Sequence, residues 1–310
     1  MYYRSDWPEV GFPAPIGERP PATCSRSEAD WAREIKSAAG VFCWAARQNA
    51  FESGLYEFPV WDLHLEFDGS PVSLADLQPE VDEQLPQALS NAPWGSAYVA
   101  SKVVAGEPLY EGLLRAGFEA VEHRRLFGCL IQDLHVSWQP AVDHIRLTSL
   151  AAVDAERLTS YQEQILTLSR EAFAGGYSRH FSDPILLAKQ SGVDYILALM
   201  RLNFEHIPLE HFLVAVDAPK DQVCGFSVIG KKPGLGEHVY TQLLSAVRKE
   251  YRGLGIYHGL TNLLLQTLPQ DAGLLNVTHV ENRAIQRAYA DSGRVHLADA
   301  VVLRRFFTGK

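Results

Sequence analysis

The chain has 310 residues, is 47% apolar and 21% charged, and carries a formal net charge of -9, which excludes general disorder and argues against a broad nucleic-acid or membrane-surface binder, since both partners are polyanionic. Any anionic ligand must therefore meet a local positive field. The length sets an expectation of two packed units; Cys24, Cys43, Cys129 and Cys224 lie far apart, so neither a disulfide framework nor a zinc site is expected, and with no leader pattern and no apolar run of about 18 residues the cytoplasm is the default compartment.

In chain order, residues 1–30 are rich in Pro and Gly and read as a loose lead-in. WAREIKSAA from Trp31 reads as a short helix after an Asp30 cap. LYEFPVWDLHLEF alternates like a strand, with Pro59 confining its first part to an edge or bend. PEVDEQLPQALSNA reads as a helix interrupted at Pro86, SAYVASKVVAG as a strand, and EPLYEGLLRAGFEAVEHRRLFGCLI as helix, Gly stop and strand. A first unit closes near residue 137, giving domains of 1–137 and 138–310.

In the second unit HIRLTSL is a strand, and AERLTSYQEQILTLSREAF has helical spacing after an Asp154 cap. DPILLAKQSGVDYILALMRLNF is mostly helix with a break at Gly192. HFLVAVD and QVCGFSVIG form a hairpin around PKDQ, and HVYTQLLSAV is a longer strand. Then follow GIYHGLTNLLLQTL as a helix, LLNVTHV as a strand, ENRAIQRAYADSG as a helix ending at Gly293, and VHLADAVVLRRFF as a final strand. The class is α+β, a mainly antiparallel mixed sheet covered by helices. The end of the first unit and the end of the second share a strand, helix, glycine and strand pattern; aligning Gly117 with Gly293 sets Leu113 opposite Tyr289.

The stretch EYRGLGIYHGL places glycines at 253 and 255 between a strand and a helix. Its amides, from Arg252 through Gly253, Leu254, Gly255 and Ile256 to Tyr257, are open donors at the positive end of a helix dipole, which suits a pyrophosphate. Arg248, Lys249 and Arg252 add positive charge beside them.

The order strand, R-G-x-G, helix, strand, N-x-x-x-x-x-x-Y, Gly resembles the acyl-CoA-binding core of the GCN5-related N-acetyltransferase superfamily. Arg252 and Gly255 meet its [Q/R]-x-x-G-x-[G/A] motif, with Tyr257 in place of the last small residue. Asn282 and Tyr289 meet the later element, on one helix face and about 10 Å apart along the axis. The resemblance implies two units of this fold, the first degenerate, and an acyl-CoA-dependent N-acyltransferase with coenzyme A as co-substrate. Tyr289 would be the acid to the leaving thiolate, and the strand end at Val247 would supply an amide to the acyl carbonyl. No general base announces itself among His279, Glu281, His180, His238 and Glu250; His279, on the strand beside the thioester, is the foremost candidate.

GGYSRHFSDP is similar to a segment of nucleotide-sugar N-acyltransferases of the dTDP-fucosamine acetyltransferase type, through Ser178, Arg179, Asp183 and Pro184. That likeness implies a nucleotide-linked amino sugar as the amine substrate, with Ser178, Arg179, His180 and Asp183 around it, and an activity in polysaccharide biosynthesis. No nucleic-acid or membrane partner is expected, and a homo-oligomer stays open. Another small amine as substrate, or acyl-CoA binding without chemistry, are the alternatives.

Overall fold

Strand alternation and helix caps divide the chain into twelve strands and nine helices among the described residues of a computed structural model, which are 2–4, 31–36, 40–69, 78–90, 92, 94–105, 108–136, 143–176, 178–231 and 238–308. The first half holds β1 (Tyr2–Arg4), β2 (Trp31–Lys36), β3 (Gly40–Gln48), α1 (Ala50–Tyr56), β4 (Val60–Gly69), α2 (Gln78–Ser90), β5 (Ala97–Val104), α3 (Pro108–Arg115) and β6 (Glu119–Leu130). The second holds β7 (Ile145–Ser149), α4 (Ala155–Phe173), α5 (Arg179–Ser182), α6 (Pro184–Leu187), α7 (Gly192–His206), β8 (Phe212–Asp217) and β9 (Gln222–Lys231). It ends with β10 (Val239–Val247), α8 (Ile256–Thr267), β11 (Gly273–His279), α9 (Arg283–Asp291) and β12 (Val295–Phe307). No helix among the described residues is long and apolar enough to cross a membrane.

All strands join one sheet in the order β2-β3-β4-β5-β12-β6-β11-β10-β9-β8-β7, with β1 on β4. The central strands alternate between halves: β12 lies between β5 and β6, and β6 lies between β12 and β11. Each half thus lends its last strand to the other. With Gly117 set against Gly293 the exchange is two-fold symmetric, because Glu119 faces Arg304 while Gly128 faces Val295. Both glycines adopt positive φ, +79° and +88°, which explains why glycine follows the helix in each copy.

One face of the sheet is covered by α2, α3, α8 and α9 and the other by α1, α4 and the α5–α7 segment, as strand alternation requires. Leu213 and Ala215 of β8 pack in the cluster that contains α8, while Phe212, Val214 and Val216 pack with α4 and α7. The first half encloses a separate cluster rich in tryptophan, including Trp44, Trp61 and Trp94.

Several sequence expectations change. WAREIK is a strand and not a helix: it pairs along its length with β3, from Trp31↔Ala46 to Lys36↔Val41, and its Trp31 ring lies 5.8 Å from that of Trp94. Six residues are too few to nucleate a helix alone, so the pairing with β3 decides the state. Leu55 and Tyr56 belong to helix α1, which Asn49 caps by accepting the Glu52 N–H at 3.0 Å. Pro86 sits inside a continuous α2. The break expected at Gly192 falls just before it: α6 ends at Leu187 and α7 begins at Gly192, where Ser191 caps by accepting the Asp194 N–H at 3.1 Å. Asp154 stands at the N-cap of α4 without a side-chain bond. Cys43 is disulfide-bonded, contrary to the spacing argument, while Cys129 and Cys224 are free and buried. Of the lead-in, only β1 lies within the described residues, and the Asp30 cap lies outside them.

The two halves are also pinned on the α5 face by buried charge. Arg179, 2% exposed, donates through Nη2 to both Glu52 carboxylate oxygens at 2.8 and 2.6 Å, and its amide donates to Glu122 Oε2 at 3.2 Å. Asp183 accepts from Tyr98 OH at 2.7 Å and Arg304 Nε at 3.1 Å. The Tyr56 hydroxyl lies 2.6 Å from His180 Nδ1. Burial and the Arg179 charge hold that imidazole neutral, far below its usual titration range. Removing one member strands a charge in low dielectric, so Arg179→Ala is expected to lower unfolding free energy by about 3–5 kcal/mol. Urea unfolding checks this, and a loss near zero would show that Arg179 is not part of the clasp.

A splayed strand pair beside an open helix turn

Strands β10 and β11 run parallel and pair only from Val239↔Gly273 to Gln242↔Asn276. Beyond that point β10 keeps its register on β9 after a bulge between Gln242 and Leu244, and β11 keeps its register on β6. Two parallel strands that stop pairing while both stay in the sheet must diverge, and the bulge adds the local twist that opens them. Residues 243–247 and 277–279 are the arms of this wedge.

A polar node sits at its vertex. Gln242, 8% exposed, uses its whole amide: Nε2 donates to Ser227 and Ser245 hydroxyls at 2.7 Å each, and Oε1 accepts from Tyr257 OH at 2.9 Å and Asn276 Nδ2 at 2.7 Å. Arg294 Nε donates to Asn276 Oδ1 at 2.9 Å, and Nη1 donates to the Ser292 hydroxyl. The remaining Arg294 Nη2 is buried without a partner. With both donors and both lone pairs of the Gln242 amide bonded, the vertex is held in one geometry.

Tyr289 of α9 leans over this vertex, 4% exposed, its ring 6.3 Å from Tyr257, 5.3 Å from Phe127 and 5.1 Å below the Arg294 guanidinium. Burial, reinforced by Tyr257, pushes its phenol well above the ordinary value, although Arg294 and Asn276 pull the other way. The hydroxyl is therefore a persistent donor. The pseudo-symmetric positions in the first half are Leu113, Ala116 and Phe118, all in an apolar cluster, where the second half has Tyr289, Ser292 and Arg294. Only one of the two related slots is polar.

The turn leaves β10 through Arg248 and a short 3-10 segment to Arg252, then passes Gly253 at φ +81° and Gly255 at φ +73° into α8. The first bond into the helix is Gly259 N–H to Gly255 O at 3.0 Å. The amides from Gly253 to His258, those of Leu254, Ile256 and Tyr257 included, make no backbone bond before it, so they form an open row of donors at a helix N-terminus. Arg252 is exposed, its Nε donating to Val247 O at 3.2 Å.

Not every expected residue joins this constellation. Arg248 turns away: it is buried, donating to Val223 O at 2.8 Å and pairing with Glu171 at 3.1 Å, so it is not a mobile charge at the turn. Asn282 caps α9, its Oδ1 accepting the Ile285 N–H at 3.4 Å, and shares the Tyr289 side of that helix. His279 lies on the opposite face of the sheet, since Asn276 and Thr278 alternate with Val277 and His279; its Nδ1 accepts the Glu281 N–H at 3.2 Å. On that face Leu243 and Val277 are large apolar side chains left 41% and 42% exposed beside the wedge. Arg179, His180 and Asp183 are drawn into the clasp between the halves, where Glu52, Tyr56, Tyr98 and Arg304 occupy their polar groups, so these three present no surface to a substrate diphosphate, while Ser178 is half-buried beside them with its hydroxyl unpartnered among the described residues. Sequence reasoning missed Gln242, Asn276, Arg294 and the contribution of β6, which brings Phe127 from the first half against Tyr289. The polar residues had a signal: a Gln and an Asn inside otherwise apolar strands.

No family model matches the chain, and no curated protein matches it. Among solved structures, a GCN5-related N-acetyltransferase from Sphaerobacter thermophilus superposes with a TM-score of 0.52 at 12% identity, covering 87% of this chain and 78% of that one. The fold is that of the GCN5-related N-acetyltransferases. A GCN5-related N-acetyltransferase from Kribbella flavida gives a TM-score of 0.48 at 13% identity, with 88% of this chain and 89% of that one covered. A tandem GNAT protein from the clavulanic acid biosynthesis pathway gives 0.49 at 12%, with 86% and 79% covered. At such identities the likeness concerns the fold alone.

Two outcomes follow from the node. Gln242→Leu removes four bonds at once and leaves buried donors and acceptors unpaired, so it is expected to destabilise the protein by about 2 kcal/mol or more in urea unfolding. Tyr289, with the buried phenols of Tyr257 and Tyr195 raised as well, stays neutral in the folded chain while its unfolded counterpart ionises near 10, the ordinary value for a tyrosine. The stabilising difference is present below that pH and is lost as pH rises above it. Alkaline titration should show a fraction of tyrosinate absorbance appearing only together with loss of circular dichroism.

Proposed function

We propose that the chain is an acyl-CoA-dependent N-acyltransferase acting on a small amine. The observation that carries the reading is the wedge itself, with six consecutive open amides at one end, from Gly253 to His258, and a phenol that stays protonated beside its vertex. A diphosphate would lie on the amides with Arg252 and Lys249 at its side, and an extended arm would pass between the diverging strands, where β10 edge amides toward Val247 can act as donors. Bound acyl-CoA supplies the thioester.

The chain's own groups then have distinct tasks. The amide edge of β10 polarises the acyl carbonyl as its oxygen gains charge. The amine approaches from the face where Leu243, Val277 and His279 border the opening, and His279 takes the proton its nitrogen loses as the new C–N bond forms. Tyr289 gives its proton to the sulfur as the C–S bond breaks, and Arg294, over the ring, stabilises the phenolate until a proton returns.

Acceptor choice belongs to the Leu243, Val277 and His279 border, since Arg179 and Asp183 are spent inside the clasp. Nucleotide-linked amino sugars, with dTDP or UDP carriers, head the amines to be tried, beside aminoglycosides and peptide amines. Thiol release from acetyl-CoA across this panel tests the reading, and a chain that binds coenzyme A yet acylates none of them would reduce it to a binding protein. Tyr289→Phe is expected to lower turnover by about 10- to 1,000-fold with coenzyme affinity within about twofold; unchanged turnover would remove the phenol from the mechanism.

A further inference from the structure

On the outer side of α9, away from α8, an open groove of about 580 Å³ runs between that helix and strands β6 and β12, lined by Arg125, Phe127, Arg283, Gln286, Arg287, Ala290 and His296. Its helical wall is the stripe 283, 286, 287 and 290, spaced i, i+3, i+4 and i+7. Asn282 and Tyr289 look toward α8 from another side of the same helix, so α9 separates this groove from the coenzyme wedge. The volume is in the range of small-molecule sites, which is roughly 300–1,000 Å³.

Its charge is unusual for this chain. Arg283 and Arg287 are exposed, and neither makes an ion pair with any described residue. They stand four residues apart on one face, a repulsive arrangement for like charges, and Arg283 is the first residue of α9, where the helix dipole also disfavours a cation. Arg125 reaches the same groove, donating through Nη1 to Gln286 Oε1 at 2.9 Å, and its Nε, 3.3 Å from Asp299 Oδ1, is buried. His296 lies 3.0 Å from the same Asp299 oxygen. Among the described residues Asp299 is thus the one carboxylate contacting the lining, against three guanidiniums. The floor is aromatic: the Phe127 and His296 rings lie 5.6 Å apart.

From this convergence we infer that the α9–β6–β12 groove is a second anion site, taking a phosphorylated small molecule whose phosphate groups are held by the Arg283 and Arg287 forks and whose body rests on Phe127. Guanidinium pairs match phosphate oxygens in a way that isolated positive charge does not. An occupant would press on the ring that abuts Tyr289, so the site is placed to sense or tune the wedge from outside it.

The test is calorimetric titration of inorganic pyrophosphate into the wild-type chain, the exposed double variant Arg283→Gln/Arg287→Gln, and Arg252→Gln, with coenzyme A titrated into each. Wild type is expected to bind two pyrophosphates, of which coenzyme A displaces one. The double variant should lose the other, with affinity there falling at least tenfold and coenzyme A affinity staying within twofold. Equal stoichiometry in wild type and double variant overturns the proposal. So does a matching loss of coenzyme A affinity, which would make the groove part of the coenzyme site, or equally tight binding of succinate in the groove, which would make it a carboxylate site. Failure of coenzyme A to bind any of the three proteins would count against the acyltransferase reading alone, because the groove is scored by pyrophosphate in the double variant.

Discussion

The pairing of β6 with β12 at the centre of the sheet is the contact on which the rest depends. Each strand is the last of its half and each is seated in the other half, so the wedge, the clasp and the outer groove all form across that exchange. Phe127 on β6 meets Tyr289 on α9, and Glu122 on the same strand accepts the amide of Arg179. The first half lacks the polar slot residues but is no passive appendage, because its Phe127 packs against Tyr289 at the vertex of the second half's wedge.

The wedge illustrates how one local irregularity opens a sheet. A single bulge after Gln242 ends the parallel pairing, and the amide of that glutamine, bonded on every side, keeps the vertex from slipping. The opening is therefore rigid at one end and free at the other, which is what an extended ligand passing through a sheet requires. Tyr289 sits where burial keeps its proton while Arg294 limits the penalty of releasing it. Polar groups at such a depth are costly unless they are mutually satisfied. The contrast with Leu113 and Phe118 in the related slot shows the apolar solution that a purely structural site adopts.

Much of the second half was legible from the chain. The glycine turn, the amphipathic α8 and α9, and the glycine stop at 293 each follow from local propensity and periodicity, and the repeat with Gly117 was visible because both copies need the same backbone bend. What escaped was non-local. WAREIK has no local feature that outweighs its apparent helical start, and only pairing with β3 makes it a strand. The S-R-x-x-x-D-P segment carries charges that look available for a ligand, whereas Glu52 and Tyr98, far away in the chain, neutralise them in the fold. Arg248 follows the same rule, since Glu171 and Val223 claim it from the other face. Charge in a sequence is a capacity, and long-range neighbours decide how it is used.

The strand exchange also bears on how the molecule is made. During synthesis β5 and β6 emerge with a vacancy between them, and it closes only when β12, the last strand, has been translated and threaded in. Two unpaired edges must wait through the production of the second half, an exposure that invites intermolecular pairing. High contact order at the middle of the sheet makes that closure slow, so assistance from a chaperone would matter more for this chain than for a single unit of the same fold.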